Sequence, residues 1–197
     1  CNTDYLRGYI KDNKVCGIIH FAAYKAVGES VENPLNYYQN NIEGLVSILK
    51  IVSENPEIPF VFSSSCTVYG QPDKLPVSEK SPFKAAESPY ARTKQISENI
   101  IEDFTNSISF LSAISLRYFN PVGAHPSGMI GEGVRGVPNN LMPYIVQVAS
   151  GIRDRLYVFG DDYNEMYYVE FLKYSNQPYT SSFFITENAY SSPQDIG

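Results

Sequence analysis

Tyr90 and Lys94 stand four positions apart in the stretch SPYARTKQ, and a second stretch, SSSCTVYG from Ser63 to Gly70, supplies three consecutive hydroxyls. A phenol is a poor base at neutral pH because its pKa lies near 10, but a fixed ammonium beside it favours the phenolate. Ser88-Pro89 reads as a helix cap followed by proline at the first helical position, so Tyr90 and Lys94 fall one above the other on one helical face. Hydroxyls ending a neighbouring strand could hydrogen-bond a substrate oxygen while the tyrosine takes its proton. The plain alternatives are a tyrosine lying beside a solvated lysine and a polar strand end that caps itself.

The elements that would position these groups alternate along the chain. Residues 3–12 read as a short helix, and VCGIIHF (15–21) is a continuous apolar run of the kind that fills a parallel sheet covered on both faces. Asn33-Pro34 then opens a long amphipathic helix, with Leu35, Tyr38, Ile42, Leu45, Ile48, Leu49 and Val52 at helical spacing. Residues 58–64 give a second buried strand, and the helix after Pro89 buries Ile96, Ile100, Ile101 and Phe104. Residues 110–119 give a third strand. The order predicts an α/β fold with a parallel, doubly wound sheet. From 120 to 140 Gly, Pro and Asn dominate, then LMPYIVQVAS predicts a helix and LYVF (156–159) a short strand, a second layer over the carboxyl ends of the strands. Beyond about Glu165 the tail has no convincing period.

Composition limits the rest. The 197 residues are 43% hydrophobic and 18% charged, which fits a globular chain and excludes the compositions that stay disordered. No apolar run approaches the roughly 18–20 residues that cross a bilayer, and no secretory signal pattern opens the chain, so the expected compartment is cytoplasmic. A net charge of −6 with scattered basic residues argues against nucleic acid. Three cysteines without a C-x-x-C pair and two histidines distant from them in sequence suggest reduced thiols and no structural metal.

FAAYKAVGESVENPLNYYQNN, FSSSCTVYG, SPYARTK, LRYFNPVGAHPSG and VPNNLMPYI, in this order and spacing, together resemble the UDP-glucose 4-epimerases, extended short-chain dehydrogenases/reductases, over about residues 15–163. The resemblance implies an NAD-binding Rossmann domain and a bound NAD that oxidises C4 of the sugar, rotation of the 4-keto intermediate, and return of the hydride to its other face. UDP-galactose and UDP-glucose would thereby interconvert. It implies that Ser65 hydrogen-bonds the 4-hydroxyl, that Tyr90 is general base and then acid, and that Lys94 holds the nicotinamide ribose and lowers the tyrosine pKa. Phe21, Ala22, Ala23, Tyr24, Lys25, Asn40, Ser63, Tyr118 and Phe119 would line the cofactor with Tyr90 and Lys94. Asn120, Asn140, Leu141, Tyr157 and Phe159 would hold the UDP-sugar with Ser65 and Tyr90. Competing readings make Phe21, Phe119 and Phe159 core residues and Asn120-Pro121 and Asn139-Asn140 turn or cap residues. His20 reads as a structural histidine. The helices over 35–52 and 89–104 could pair with their copies in a homodimer, although core packing explains their apolar faces equally well.

On that resemblance, residues 1–119 form a partial dinucleotide-binding domain, 120–163 a partial UDP-sugar region and 164–197 a divergent tail. G-x-G-x-x-G occurs at 131–136, but no strand precedes it, Pro138 follows too closely, and the carboxylate of Glu132 would face phosphate. The family's glycine loop would then precede the first visible strand, with roughly 60 residues ahead of this chain at about 30 per βαβ unit. The expectation is a fragment with weakened NAD binding. The alternatives are a non-catalytic module and a 4,6-dehydratase, though a dehydratase predicts an acidic pair near Thr67, and CTVYG has none.

Overall fold

The computed structural model describes residues 2–108, 111–120, 125, 127, 129, 137–138 and 141–157. They fall into two compact units, one ending at Tyr118 and the other beginning at Phe119.

The first unit opens with α1 (Thr3–Asp12), whose N-terminus is closed by the Asn2 side chain accepting from the Tyr5 N–H at 3.1 Å. The strand β1 (Ile18–His20) leads into α2 (Val27–Glu32), which the sequence pattern did not announce. The long helix expected over 35–52 is helical throughout but comes in three pieces: α3 (Pro34–Tyr37), a π-helical segment (Tyr38–Glu43) and α4 (Gly44–Ser53). A π turn widens the helix by one residue and re-aims the side chains on it, and such turns concentrate at functional sites.

β2 (Phe60–Ser65) runs into a 3₁₀ turn (Cys66–Tyr69); α5 (Pro89–Ser107) and β3 (Ala113–Tyr118) follow. The three strands are parallel in the order β1-β2-β3, with Ile18 opposite Phe60 and the pairing continuing until Ser65 meets Tyr118. Parallel neighbours need crossovers, and α4 and α5 supply them. Their inward stripes, Leu45, Leu49 and Val52 on α4 and Ile101 on α5, pack onto Phe60 and Phe62 of β2. Each large side chain so buried contributes roughly 1.5–3 kcal/mol.

Both crossover helices contact the same face of the sheet. The strands are not covered on both faces among the described residues: Ile19 (61%), Phe21 (61%) and Ile114 (58%) are exposed on the opposite face. The parallel α/β sheet is the Rossmann-type class the alternation predicted, with helices packed on one side. Strand order explains the arrangement: sequential strands laid down in one direction with crossovers of one hand put consecutive helices on one face.

In the second unit α6 (Leu141–Ala149) follows the predicted LMPYIVQVAS segment. It ends where Gly151, at φ 75°, turns the chain so that the Ile152 N–H bonds the Gln147 carbonyl at 2.9 Å. Leu156 and Tyr157 are not in a strand, and the rest of the expected strand 156–159 lies outside the described residues, as do Asn140, Phe159, the 131–136 glycine run and the tail.

Candidate active site

Two elements bring the candidate residues together. β2 ends in Ser63, Ser64 and Ser65, and the Ser65 hydroxyl caps the following 3₁₀ turn by accepting from the Thr67 N–H at 3.3 Å. The turn closes at Gly70, whose φ of +55° is left-handed and whose place for a Cβ lies 2.6 Å from the Ala85 carbonyl oxygen, so only glycine fits. α5 starts opposite this strand tip, its first turn fixed by the Ser88 hydroxyl accepting from the Ala91 N–H at 3.1 Å and by Pro89.

The spacing of four puts Tyr90 and Lys94 on the inner face of α5, and both are buried. The Lys94 ammonium lies 4.8 Å from the centroid of the Phe62 ring and 5.8 Å from that of Tyr90, and it donates to the Ser63 carbonyl at 2.7 Å. The pair is neither solvated nor splayed apart. It faces the serine-bearing tip of the strand.

Electrostatics modify the expected roles. Burial pushes the Tyr90 phenol above its ordinary 10, the Ser65 hydroxyl opposes that rise, and Cys66 adds to it. Burial also drops the Lys94 ammonium to about 8, with the Glu98 carboxylate working the other way. The expectation that Lys94 lowers the Tyr90 pKa is therefore corrected: desolvation governs both groups, the ammonium bonds the Ser63 carbonyl, and Tyr90 holds its proton at neutral pH. His20 is lowered by burial and by Lys94, and its ring stacks with Phe60 and Phe62 at 6.2 and 6.1 Å, the surroundings of a core histidine. Burial raises the Cys66 thiol.

The loop after β1 reaches the same helix through residues the sequence reading passed over. Asn41, on the π segment, accepts from the Tyr24 N–H at 2.8 Å and donates to the Tyr24 carbonyl at 3.0 Å and to Thr93 Oγ1 at 3.2 Å. Thr93 in turn donates to the Tyr90 carbonyl at 2.7 Å, tying loop, π segment and α5 into one network. Asn40 is exposed and donates to Asn41, while Phe21, Ala22, Tyr24 and Lys25 are exposed and Ala23 half-buried. Phe21 is thus not a core residue; its ring lies 6.4 Å from that of Tyr118. Phe119, Asn120, Leu141 and Tyr157 belong to the second unit, with Asn120 and Tyr157 exposed. Among the described residues the Thr67 hydroxyl is buried without a hydrogen-bond partner, and no cluster of His, Cys, Asp and Glu could hold a metal.

A second missed group is ionic. Arg117 on β3 grips Glu98 of α5 with Nε at 3.1 Å from both carboxylate oxygens and Nη2 at 2.8 Å from Oε2, and it reaches the Tyr69 hydroxyl at 3.0 Å. The Ser64 hydroxyl donates to the same carboxylate. Two signals could have revealed it: Glu98 lies four residues after Lys94 on one helical face, and a lone arginine inside an apolar strand requires a partner.

A one-sided parallel sheet carrying a buried Ser-Tyr-Lys cluster at its carboxyl edge defines the class. The family model described as GDP-mannose 4,6 dehydratase matches residues 1–170, and the chain belongs to that family. Within it, the chain is similar to the UDP-glucose 4-epimerases. It is 54% identical over 158 residues to UDP-glucose 4-epimerase 2 of Arabidopsis thaliana, covering 80% of this chain and 45% of that one. Among solved structures, the Bifidobacterium longum UDP-glucose 4-epimerase in complex with NAD+ and UDP matches with a TM-score of 0.77 at 40% identity, over 83% of this chain and 49% of that one. The Stenotrophomonas maltophila enzyme with bound NAD and formylated UDP-arabinopyranose matches with a TM-score of 0.77 at 43% identity, over 83% and 48%. The chain spans about half the length of the curated relatives it matches.

Proposed function

We propose that this chain carries the proton-transfer centre of an NAD-dependent UDP-glucose 4-epimerase, which interconverts UDP-galactose and UDP-glucose. The observation that carries the reading is the buried Tyr90 and Lys94 pair on α5, held against the serine tip of β2. The named relatives are epimerases, and the acidic pair a dehydratase predicts is absent beside Thr67.

The donor set fits the nicotinamide ribose. An ammonium has three N–H groups, and Lys94 spends one on the Ser63 carbonyl, leaving donors for a diol. When bound, NAD supplies oxidation and reduction at C4 of the sugar. The Tyr90 phenolate, the minor form at neutral pH, takes the proton of the 4-hydroxyl at its phenolic oxygen and later returns it, Ser65 hydrogen-bonds the same hydroxyl, and the Thr67 hydroxyl offers a further polar group to the sugar. Phe21–Lys25 and Asn40, with Ser63, Tyr118 and Phe119, line the dinucleotide, and Asn120, Asn140, Leu141, Tyr157 and Phe159 take the UDP-sugar. Residues 1–119 then make up the dinucleotide-binding part and 120–163 the UDP-sugar part. A cytoplasmic homodimer through the helices over 35–52 and 89–104 completes the reading, and Leu35, 80% exposed at the start of α3, supports that surface.

The test is conversion of UDP-galactose by the protein carrying this chain, with NAD supplied, against its Tyr90→Phe variant. Loss of turnover by about a hundredfold or more, the usual scale of acid–base catalysis, with UDP binding retained is expected. Equal turnover would remove Tyr90 from its role.

A further inference from the structure

Glu98 is assigned to neither substrate nor cofactor, yet it is joined to the tip of β2 between Ser63, placed at the cofactor, and Ser65, placed at the substrate. Its carboxylate accepts from the Ser64 hydroxyl, and Ser64 is flanked by Ser63, whose carbonyl holds the Lys94 ammonium, and by Ser65, which caps the turn beside Tyr90. Arg117 fixes the carboxylate through both oxygens, and that guanidinium is itself clamped by the Tyr69 hydroxyl at 3.0 Å and the Glu79 carbonyl at 3.2 Å, with the Tyr69 and Phe83 rings 5.0 and 4.9 Å from its centre. The Glu98 side chain is only 9% exposed. A carboxylate buried to that degree needs its partners, and here they come from two strands at once.

We propose that Glu98 is a positioning residue for the Lys94 ammonium: the Arg117–Glu98–Ser64 bridge sets the register of α5 on the strand tip and supplies the negative charge that keeps Lys94 protonated where it sits. The inference rests on the role proposed for Lys94. Its electrostatic logic follows from the surroundings of that ammonium. His20 from β1 and Arg117 from β3 are the other groups there able to carry positive charge, Tyr90 and Cys66 hold their protons, and Phe62 is apolar, so Glu98 is the anion that offsets burial. The net charge of the Glu98–Arg117 pair alone is zero, but Glu98 lies one turn from Lys94 on the same helix and acts on it more directly.

The experiment is a pH titration of the intact chain by carbon-13 NMR, with lysine Cε and glutamate Cδ labelled and Lys94→Arg and Glu98→Gln used for assignment. In the wild type the Glu98 carboxyl carbon should show an inflection shared with Lys94, near pH 8. In Glu98→Gln, which keeps an acceptor for Ser64 and removes the charge, the Lys94 midpoint should fall by about one pH unit, the lower end of the effect of a close opposite charge. An unmoved midpoint in a folded Glu98→Gln chain overturns the proposal. If that variant does not fold, Glu98→Asp serves for assignment, and a wild-type Glu98 signal that stays flat while Lys94 titrates overturns it as well. Coupled titration without any NAD binding would leave this inference standing and remove the functional reading instead.

Discussion

Lys94→Met should make the chain more stable at neutral pH, because the ammonium it removes sits where charge is disfavoured. Lys94 is 4% exposed and lies against the Phe62 ring, with one hydrogen bond to the Ser63 carbonyl. Burial takes its pKa from 10.5 to about 8. At roughly 1.4 kcal/mol per pH unit, that fall corresponds to about 3 kcal/mol withheld from folding whenever the side chain is charged in both states. The sign follows from the proton count. Between pH 8 and 10.5 the unfolded chain keeps the lysine proton and the folded chain sheds it, so stability climbs with pH; below 8 both keep it and the full cost remains. Methionine retains the unbranched stem but strips the Ser63 carbonyl of its partner, a loss of about 1 kcal/mol. The expected net gain at pH 7 is therefore about 1–2 kcal/mol.

Urea unfolding followed by circular dichroism at several values from pH 7 to just below 10 would read this directly. The wild-type midpoint should rise from pH 8 upward, while Lys94→Met starts higher and stays flatter. Above pH 10 both should turn down, because burial raises the Tyr90 and Tyr37 phenols, Tyr37 to about 12 with its hydroxyl bonded to Glu29, and the unfolded chain then loses those protons first. A Lys94→Met chain that is less stable at pH 7, or that keeps the whole alkaline rise, would refute the reasoning.

Three further expectations use the same urea assay. Ser88→Ala removes the hydroxyl that accepts from the Ala91 N–H and should cost about 1 kcal/mol; no change would mean that donor finds another acceptor. Gly70→Ala meets both the left-handed φ and the Ala85 carbonyl and should cost at least about 1–2 kcal/mol, with a neutral result showing that the turn relaxes. Phe60→Ala empties the centre of the α4 and α5 contact and should cost about 3–5 kcal/mol, and a cost near zero would mean the core is not where it is placed here.

Local signals were read well from the sequence. The cap and proline before Tyr90 placed α5 correctly, because Ser88 and Pro89 act through their own backbone and need no distant partner. The apolar runs located the strands, although β2 extends through Ser65 where the pattern suggested an end at 64, since serine side chains carry no strand signal. What escaped depends on contacts distant in sequence. Asn41 looks like any polar residue inside a helical stripe, and only the π turn brings it against Tyr24, 17 residues away. Glu98 and Arg117 are ordinary charges until β3 pairs with β2. The Tyr90 pKa was misjudged for a related reason: spacing reveals a neighbouring cation but not the water that burial removes.

The three serines at the tip of β2 show why that burial is tolerated. A strand alternates its side chains, so Ser64 turns toward α5 and meets Glu98, while Ser63 offers its backbone carbonyl to Lys94 and Ser65 caps the turn beside Tyr90. One short segment thus holds the phenol, the ammonium and the carboxylate that balances it. Packing alone would favour an apolar side chain at position 94, since the helix already has Thr93, Ser97 and Ile101 buried along its inner face. A lysine that costs stability and is nevertheless fixed by a strand carbonyl and a clamped carboxylate fits the proton-transfer role proposed for this cluster, since functional sites are where unfavourable charge is ordinarily retained.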